Sequence, residues 1–401
     1  MSEHDSPDGA GQAFSRIYNR RLVFELLHQN GPLSRVDIAQ RVGLKPQTIS
    51  GITRELLDQG LIREAGRSSG LRGQPQTYLA PNPEAGYAIG MHVDRGRISA
   101  VLGDLLLNIV ARVDWSGDTS NPAATMAVMA GMVEQLMTGS GAQQASVWGL
   151  GLVLPTLNAD MYEVEMRMPG WELWRGFDPA ADLAGRLKIP VLMENDATAA
   201  AVGTLLHQSG GSLRNFVLVY IGYGTGAGIV VDAMPMKGVH GNAGEFGLLP
   251  APGGEGVIDD LLSLHAVARL LKRPVEELTP DILAELHRRR DSRLMHWLED
   301  AASTLRYLIS IMETAFDPET VLLGGALPDS ILSALVERTY PLLPSLSAIR
   351  ARELPRFSVA GLADGPVIGG MSLPIFVNTR SDFRHLYIRH IAGDERPFDH
   401  R

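Results

Sequence analysis

Residues 34–60 constrain this chain most, because their spacing predicts two short helices joined by a tight turn. Ser34 is placed to cap a helix, and Asp37 three residues on favours its first turn. Ile38, Ala39 and Val42 give that helix an apolar stripe, and Gly43 supplies the turn. Pro46 suits the first position of the next helix, where a missing N–H costs nothing. There Ile49, Ile52 and Leu56 recur at inward-facing spacing, and Gly60 ends the run. Gln47, Ser50, Gly51 and Arg54 fall on the opposite face, where small and polar side chains allow close approach to DNA.

The expectation is a helix-turn-helix, with Gln47, Thr48, Ser50 and Arg54 as the candidates for groove and phosphate contacts. A glutamine can bond bidentately to adenine and an arginine to guanine. Short strands expected at 61–62 and 77–79 flank the basic segment GRSSGLRGQPQ, which reads as the wing of a winged helix. Arg67, Arg72 and Gln74 in it could reach phosphates or a minor groove. One such module binds too weakly for a specific site, so a homodimer or dimer of dimers on palindromic operator DNA is expected. A helical hairpin for protein contact is the alternative.

Charge agrees with a nucleic-acid partner at one end. Residues 9–80 carry 10 basic and 5 acidic side chains, whereas residues 81–401 carry 26 basic and 37 acidic ones. The chain has no cysteine, which excludes disulfides and thiolate metal sites. Its acidic, polar start does not read as a signal peptide, and no run of about 18 apolar residues suggests a membrane span. A cytoplasmic protein with no metal and no cofactor is expected.

A chain of 401 residues calls for more than one domain. Residues 1–15 lack periodicity and are expected to be a disordered arm. Residues 16–80 form the winged module, beginning with a helix at 19–29, and Pro81-Asn82-Pro83 reads as a hinge. Residues 81–376 alternate strands and helices, which predicts an α/β body. Three strands followed by helix, strand and helix occur twice, starting near Tyr87 and Phe216, so two related lobes with a cleft between them are expected. Helices are expected at 260–271, 294–316 and 367–376. Residues 377–401 are a tail in which Phe383, Leu386, Tyr387 and Ile391 could dock as a short helix.

Five segments in the body carry a resemblance: GLGLVLP at 149–155, ENDATAA at 194–200, GYGTGAG at 222–228, GVHGNAGEFG at 238–247 and LLGGALP at 322–328. In this order, behind a helix-turn-helix, they resemble the ROK family of repressors, open reading frames and kinases. The resemblance covers residues 16–376. It implies an actin-like, ribonuclease-H-like two-lobed body that closes on a sugar, and its winged helix resembles the xylose and N-acetylglucosamine repressor types.

The resemblance also assigns residues. Asp196 stands where family kinases place their general base, with Asn195 beside it; capping of the helix that follows is the other reading of both. Glu245 matches a family glutamate that binds sugar hydroxyls. Asp259 falls where another is usual, though its shorter side chain reaches less far, and His240 could donate to a ligand. Trp171 could stack on a sugar ring or pack in a core.

Two family features are lost. The phosphate-binding Asp-x-Gly-Gly-Thr hairpin is replaced by His92, Asp94, Arg95 and Gly96, which sets a carboxylate where a triphosphate would lie. His92 reads as a structural residue. The zinc motif is gone as well: Leu248 stands at its histidine, and PAPGGEGVIDD contains no cysteine. The glycine pair Gly324-Gly325 reads as structural retention. Together these readings predict a sugar-responsive transcriptional regulator, a repressor with no enzyme activity. The alternatives are an active ATP-dependent sugar kinase with an accessory N-terminal module, and a scaffold that binds another protein.

Overall fold

The computed structural model describes residues 7–67, 76–94, 96–143, 146–154, 171–174, 176–207, 213–349 and 352–380. The N-terminal module contains α1 (Pro7–Asn30), β1 (Leu33–Ser34), α2 (Arg35–Val42), α3 (Pro46–Asp58), β2 (Ile62–Arg67) and β3 (Thr77–Pro81). Its strands pair antiparallel in the order β1-β3-β2. The helix-turn-helix forms as its residues dictate. Ser34 accepts from the Asp37 N–H and Asp37 from the Ser34 N–H, a reciprocal cap. The chain turns at Gly43, and Pro46 opens α3.

The two lobes share one topology. The first holds β4 (Tyr87–Asp94), β5 (Arg97–Asp104), β6 (Ile109–Ser116), α4 (Pro122–Ser140), β7 (Val147–Val153), α5 (Pro179–Leu187), β8 (Val191–Glu194) and α6 (Asp196–His207). The second holds β9 (Phe216–Ile221), β10 (Thr225–Val231), β11 (Met234–Pro235), α7 (Leu264–Leu271), α8 (Pro280–Arg288), α9 (Ser292–Phe316), β12 (Thr320–Gly325), α10 (Asp329–Thr339), β13 (Phe357–Val359) and α11 (Gly365–Thr379). The sheet orders are β6-β5-β4-β7-β8 and β11-β10-β9-β12-β13. Each runs three antiparallel strands and then two parallel ones, so the repeat expected from the sequence is present.

The central helices α6 and α11 cross between the sheets. Helix α6 packs on β9 and β10 of the second lobe, and α11 packs on β4 and β7 of the first. Both are buried on every side along most of their length, with few polar side chains, as suits a helix enclosed by protein. Their closeness depends on small residues: a Cβ on Gly369 would lie 1.9 Å from the Ala199 carbonyl oxygen.

Several boundaries differ from expectation. Helix α1 begins at Pro7, inside the stretch expected to be a disordered arm, because the helical run at 19–29 propagates backward once nucleated. Helix α7 starts at Leu264 rather than near 260, since Ser263 caps it by accepting from the Ala266 N–H; residues Ile258–Asp260 form a separate 3-10 turn. Helix α8 was not expected, although Thr279 and Pro280 mark its start. Helix α11 continues to Thr379, so residues 377–379 belong to the body and not to a tail. Phe383, Leu386, Tyr387 and Ile391 lie outside the described residues. Among the described residues no helix is long and apolar enough to cross a membrane.

The segment read as a hinge is tied down in this structure. The Asn82 side-chain amide donates to Gly60 O (2.8 Å), and its N–H donates to Leu61 O (2.9 Å). One hydrophobic core runs through both parts: Val23, Phe24 and Leu27 of α1 pack with Leu105, Leu107, Trp148, Met371 and Ile375 of the body. Polar links reinforce it. His28 Nε2 meets Leu105 O at 2.7 Å. Arg380, just past α11, pairs with Glu25 of α1 and donates to Ala233 O of the second lobe. The winged module is thus docked on the helix that passes between the lobes.

Candidate functional site

The N-terminal module divides α3 cleanly into two faces. Ile49, Ile52, Thr53 and Leu56 are buried, while Gln47, Thr48, Ser50, Gly51 and Arg54 are exposed. Ser50 Oγ donates to Pro46 O, which leaves its lone pairs facing outward. Thr53 plays a part that sequence reasoning missed. It accepts from Arg35 Nε (3.0 Å), and that bond fixes α2 against α3. Arg67 is exposed at the end of β2; Arg72 and Gln74 lie outside the described residues.

In the body, the strand β8 and the start of α6 present Glu194, Asn195 and Asp196 side by side. Asn195 Oδ1 accepts from the Thr198 N–H at 2.7 Å, so it does cap α6, and its side-chain N–H₂ remains as a donor. Asp196 behaves differently from a cap: its Oδ1 faces His92 Nε2 of β4 at 3.4 Å. Burial works against the His92 imidazolium, but Asp196, Asp94 and Asp364 outweigh it and raise its pKa above the usual value. His92 thus sits against Asp196 as well as filling the core.

Asp259 is drawn into the glycine-rich turn between β9 and β10. Its Oδ1 accepts from the Thr225 N–H at 2.6 Å. Only a residue without a side chain fits at Gly247, where a Cβ would sit 2.2 Å from that same oxygen. Burial raises the Asp259 pKa to about 6; the Thr225 N–H opposes this, and the carboxylates of Glu245 and Asp260 add to it. Glu245 is half-buried close to Asp259, whereas His240 is exposed. Leu248 is half-buried beside them, and the following loop is held by its own backbone, with Ala251 N–H donating to Gly256 O (3.1 Å) and Pro250 bridging Val257. Trp171 opens a 3-10 turn, but its side chain lies outside the described residues.

Sequence reading also passed over Glu194 and Lys237. Glu194 is buried and receives Lys237 Nζ at 2.7 Å, which ties the loop carrying Glu245 to β8. The signal was a carboxylate at the end of a buried strand, a place where an unpaired charge is costly.

A cavity of about 450 Å³ opens beside these groups, between the lobes. His92 joins the two places, since it lines the cavity and touches Asp196. Asp94, Glu276, Asp329 and Asp364 also line it, as does Arg97. None of Asn195, Asp196, Glu245 and Asp259 appears among the described residues of its wall. The hairpin carrying His92 and Asp94 thus faces a space rich in carboxylates; Arg95 lies outside the described residues.

Comparison with known proteins fits this arrangement. The ROK family matches residues 88–363, and the winged helix-turn-helix DNA-binding family matches residues 18–63. The xylose repressor of Bacillus spizizenii is 24% identical, over 84% of this chain and 91% of its own. Among solved structures, a ROK family transcriptional regulator, a homolog of the Escherichia coli Mlc protein, superposes with a TM-score of 0.70 at 24% identity. It covers 90% of this chain and 96% of that one. The ROK hexokinase of Thermus thermophilus superposes with a TM-score of 0.53 at 22% identity, over 71% of this chain and 97% of its own. Likenesses at these identities speak for the fold: a kinase-type two-lobed body, here preceded by a winged helix. With its family match spanning well over half its length, the chain belongs to the ROK family.

Proposed function

We propose that the protein is a sugar-responsive transcriptional regulator, a repressor that binds operator DNA as a homodimer through α3 and the wing. The observation that carries this reading is the division of α3. One face is locked into a core shared with the body, and the other presents Gln47, Thr48, Ser50 and Arg54 to solvent. Arg67, Arg72 and Gln74 supply the wing contacts. A sugar or sugar derivative binds at Asn195, Asp196, Glu245 and Asp259, with His240 at the rim. The xylose repressor among the relatives supports both halves of the reading.

The coupling follows from the docking. A ligand that favours one lobe arrangement displaces α11 and Arg380, and α1 moves with them. The ligand can do this only by binding one arrangement better than the other. Catalysis is not part of the proposal. Four carboxylates line the cavity beside the first hairpin, and they oppose a triphosphate.

The test is the double variant Ser50→Ala with Arg54→Ala, against operator fragments selected from random DNA. Loss of at least a hundredfold in operator affinity is expected, with the sugar-induced rise in thermal stability retained. Undiminished operator affinity in the double variant would defeat α3 as the reading helix.

A further inference from the structure

We propose that His92 is a positioning residue for the sugar site: its imidazole holds the Asp196 side chain aimed, so that Asp196 accepts a hydrogen bond from a sugar hydroxyl. The inference rests on Asp196 being a ligand group, as argued above. Its own support is geometric. His92 Nε2 and Asp196 Oδ1 stand 3.4 Å apart, both atoms are shielded from water, and among the described residues neither has a hydrogen-bond partner, so each is the other's nearest polar complement.

The surroundings favour the charged pair. Asp196 comes from the first turn of α6, where the helix dipole stabilises an anion. Asp94 faces His92 from its own strand, and Asp364 from the turn before α11. Tyr220 of β9 borders the same group; burial, then Asp196, Asp94 and Asp364, push its hydroxyl well above the usual range, so it stays neutral. Arg97 lines the same cavity, and Arg112 is bound to Asp364 and Asp114. His92 thus meets three carboxylates and a neutral phenol.

The chemistry follows. A carboxylate oxygen fixed by a neighbouring imidazole keeps its remaining lone pairs in a set direction, so it can orient a hydroxyl that donates to it. The contact therefore acts on the sugar side, apart from the cavity beyond.

Two measurements on the full chain decide the matter. The first uses no ligand: the His92 imidazole is titrated by NMR in the wild type and in Asp196→Asn. A pKa above 6.5 in the wild type, falling by at least one unit in the variant, is expected. Equal values in both proteins would overturn the pair. The second measures binding of D-xylose, D-glucose and N-acetyl-D-glucosamine by calorimetry against pH, in the wild type and in His92→Asn. Wild-type affinity should fall as pH rises through the His92 pKa; the variant should bind about tenfold more weakly at neutral pH and lose that fall. An unchanged affinity and pH profile in His92→Asn would overturn the positioning role. If none of the three sugars binds the wild type, the sugar reading itself fails, and a shifted His92 titration then marks only a structural contact.

Discussion

The exposed face of α3 and the cleft beneath the lobes use polar groups in opposite ways. On α3, Gln47, Thr48 and Arg54 face solvent. Around the start of α6 and the β9–β10 turn, beside the cavity, the polar groups already meet protein partners: Asn195 the Thr198 N–H, Asp196 His92, Asp259 the Thr225 N–H, and Glu194 Lys237. A surface that must read a partner keeps its groups available. The proposed sugar site has its groups fixed first, at the expense of part of their hydrogen-bonding capacity.

That contrast can be broken by stability measurements. The largest effect is expected from Glu194→Ala, which removes the buried carboxylate facing the half-buried Lys237 ammonium; a loss of about 3 kcal/mol in chemical denaturation is expected. A loss below about 1 kcal/mol would show that the pair is not a constraint on the cleft.

Asp259→Asn comes next and has the opposite sign. In the folded chain Asp259 keeps its proton up to about pH 6, against an ordinary value of 3.8. Its contribution to stability is fully present below the unfolded value and is lost as pH rises through about 6. The asparagine variant should therefore gain about 2 kcal/mol at pH 7 relative to the wild type, with a flatter stability curve between pH 4 and 6. Sugar-induced stabilisation should be lost in the same variant. A wild-type pH curve in Asp259→Asn would remove the buried carboxyl from the account.

Asn195→Ala removes a helix cap and should cost about 1 kcal/mol. Gln47→Ala and Arg54→Ala sharpen the comparison from the other side. Each should change stability by less than about 0.5 kcal/mol while weakening operator binding, and the arginine variant should also lower the slope of affinity against salt. A destabilised Arg54→Ala protein would mean that α3 is held by its outer face too.

The same contrast explains what could be read in advance. The helix-turn-helix was legible because its signals are local: Ser34 and Asp37 are three residues apart, and Ile49, Ile52 and Leu56 follow helical spacing. The lobe repeat was legible because its strand pattern recurs in order. The cleft was only half legible. Asn195, Asp196, Glu245 and Asp259 were singled out through motifs as candidates, but their neighbours are distant in sequence, as His92 is from Asp196 and Lys237 from Glu194. The docking of α1 was hidden for the same reason. Pro81-Asn82-Pro83 looks like a flexible joint until Asn82 is seen bonded to Gly60 and Phe24 buried against the body. Local rules mark a loop; they do not show which surfaces a loop brings together.

The central claim joins the two regions: occupancy of the cleft changes what α3 can bind. Operator affinity of the full chain, measured by fluorescence anisotropy while a stabilising sugar is titrated without any nucleotide, tests it most directly. The account predicts that affinity shifts at least fivefold and saturates with the sugar's own binding curve. An operator affinity indifferent to a bound sugar would contradict it.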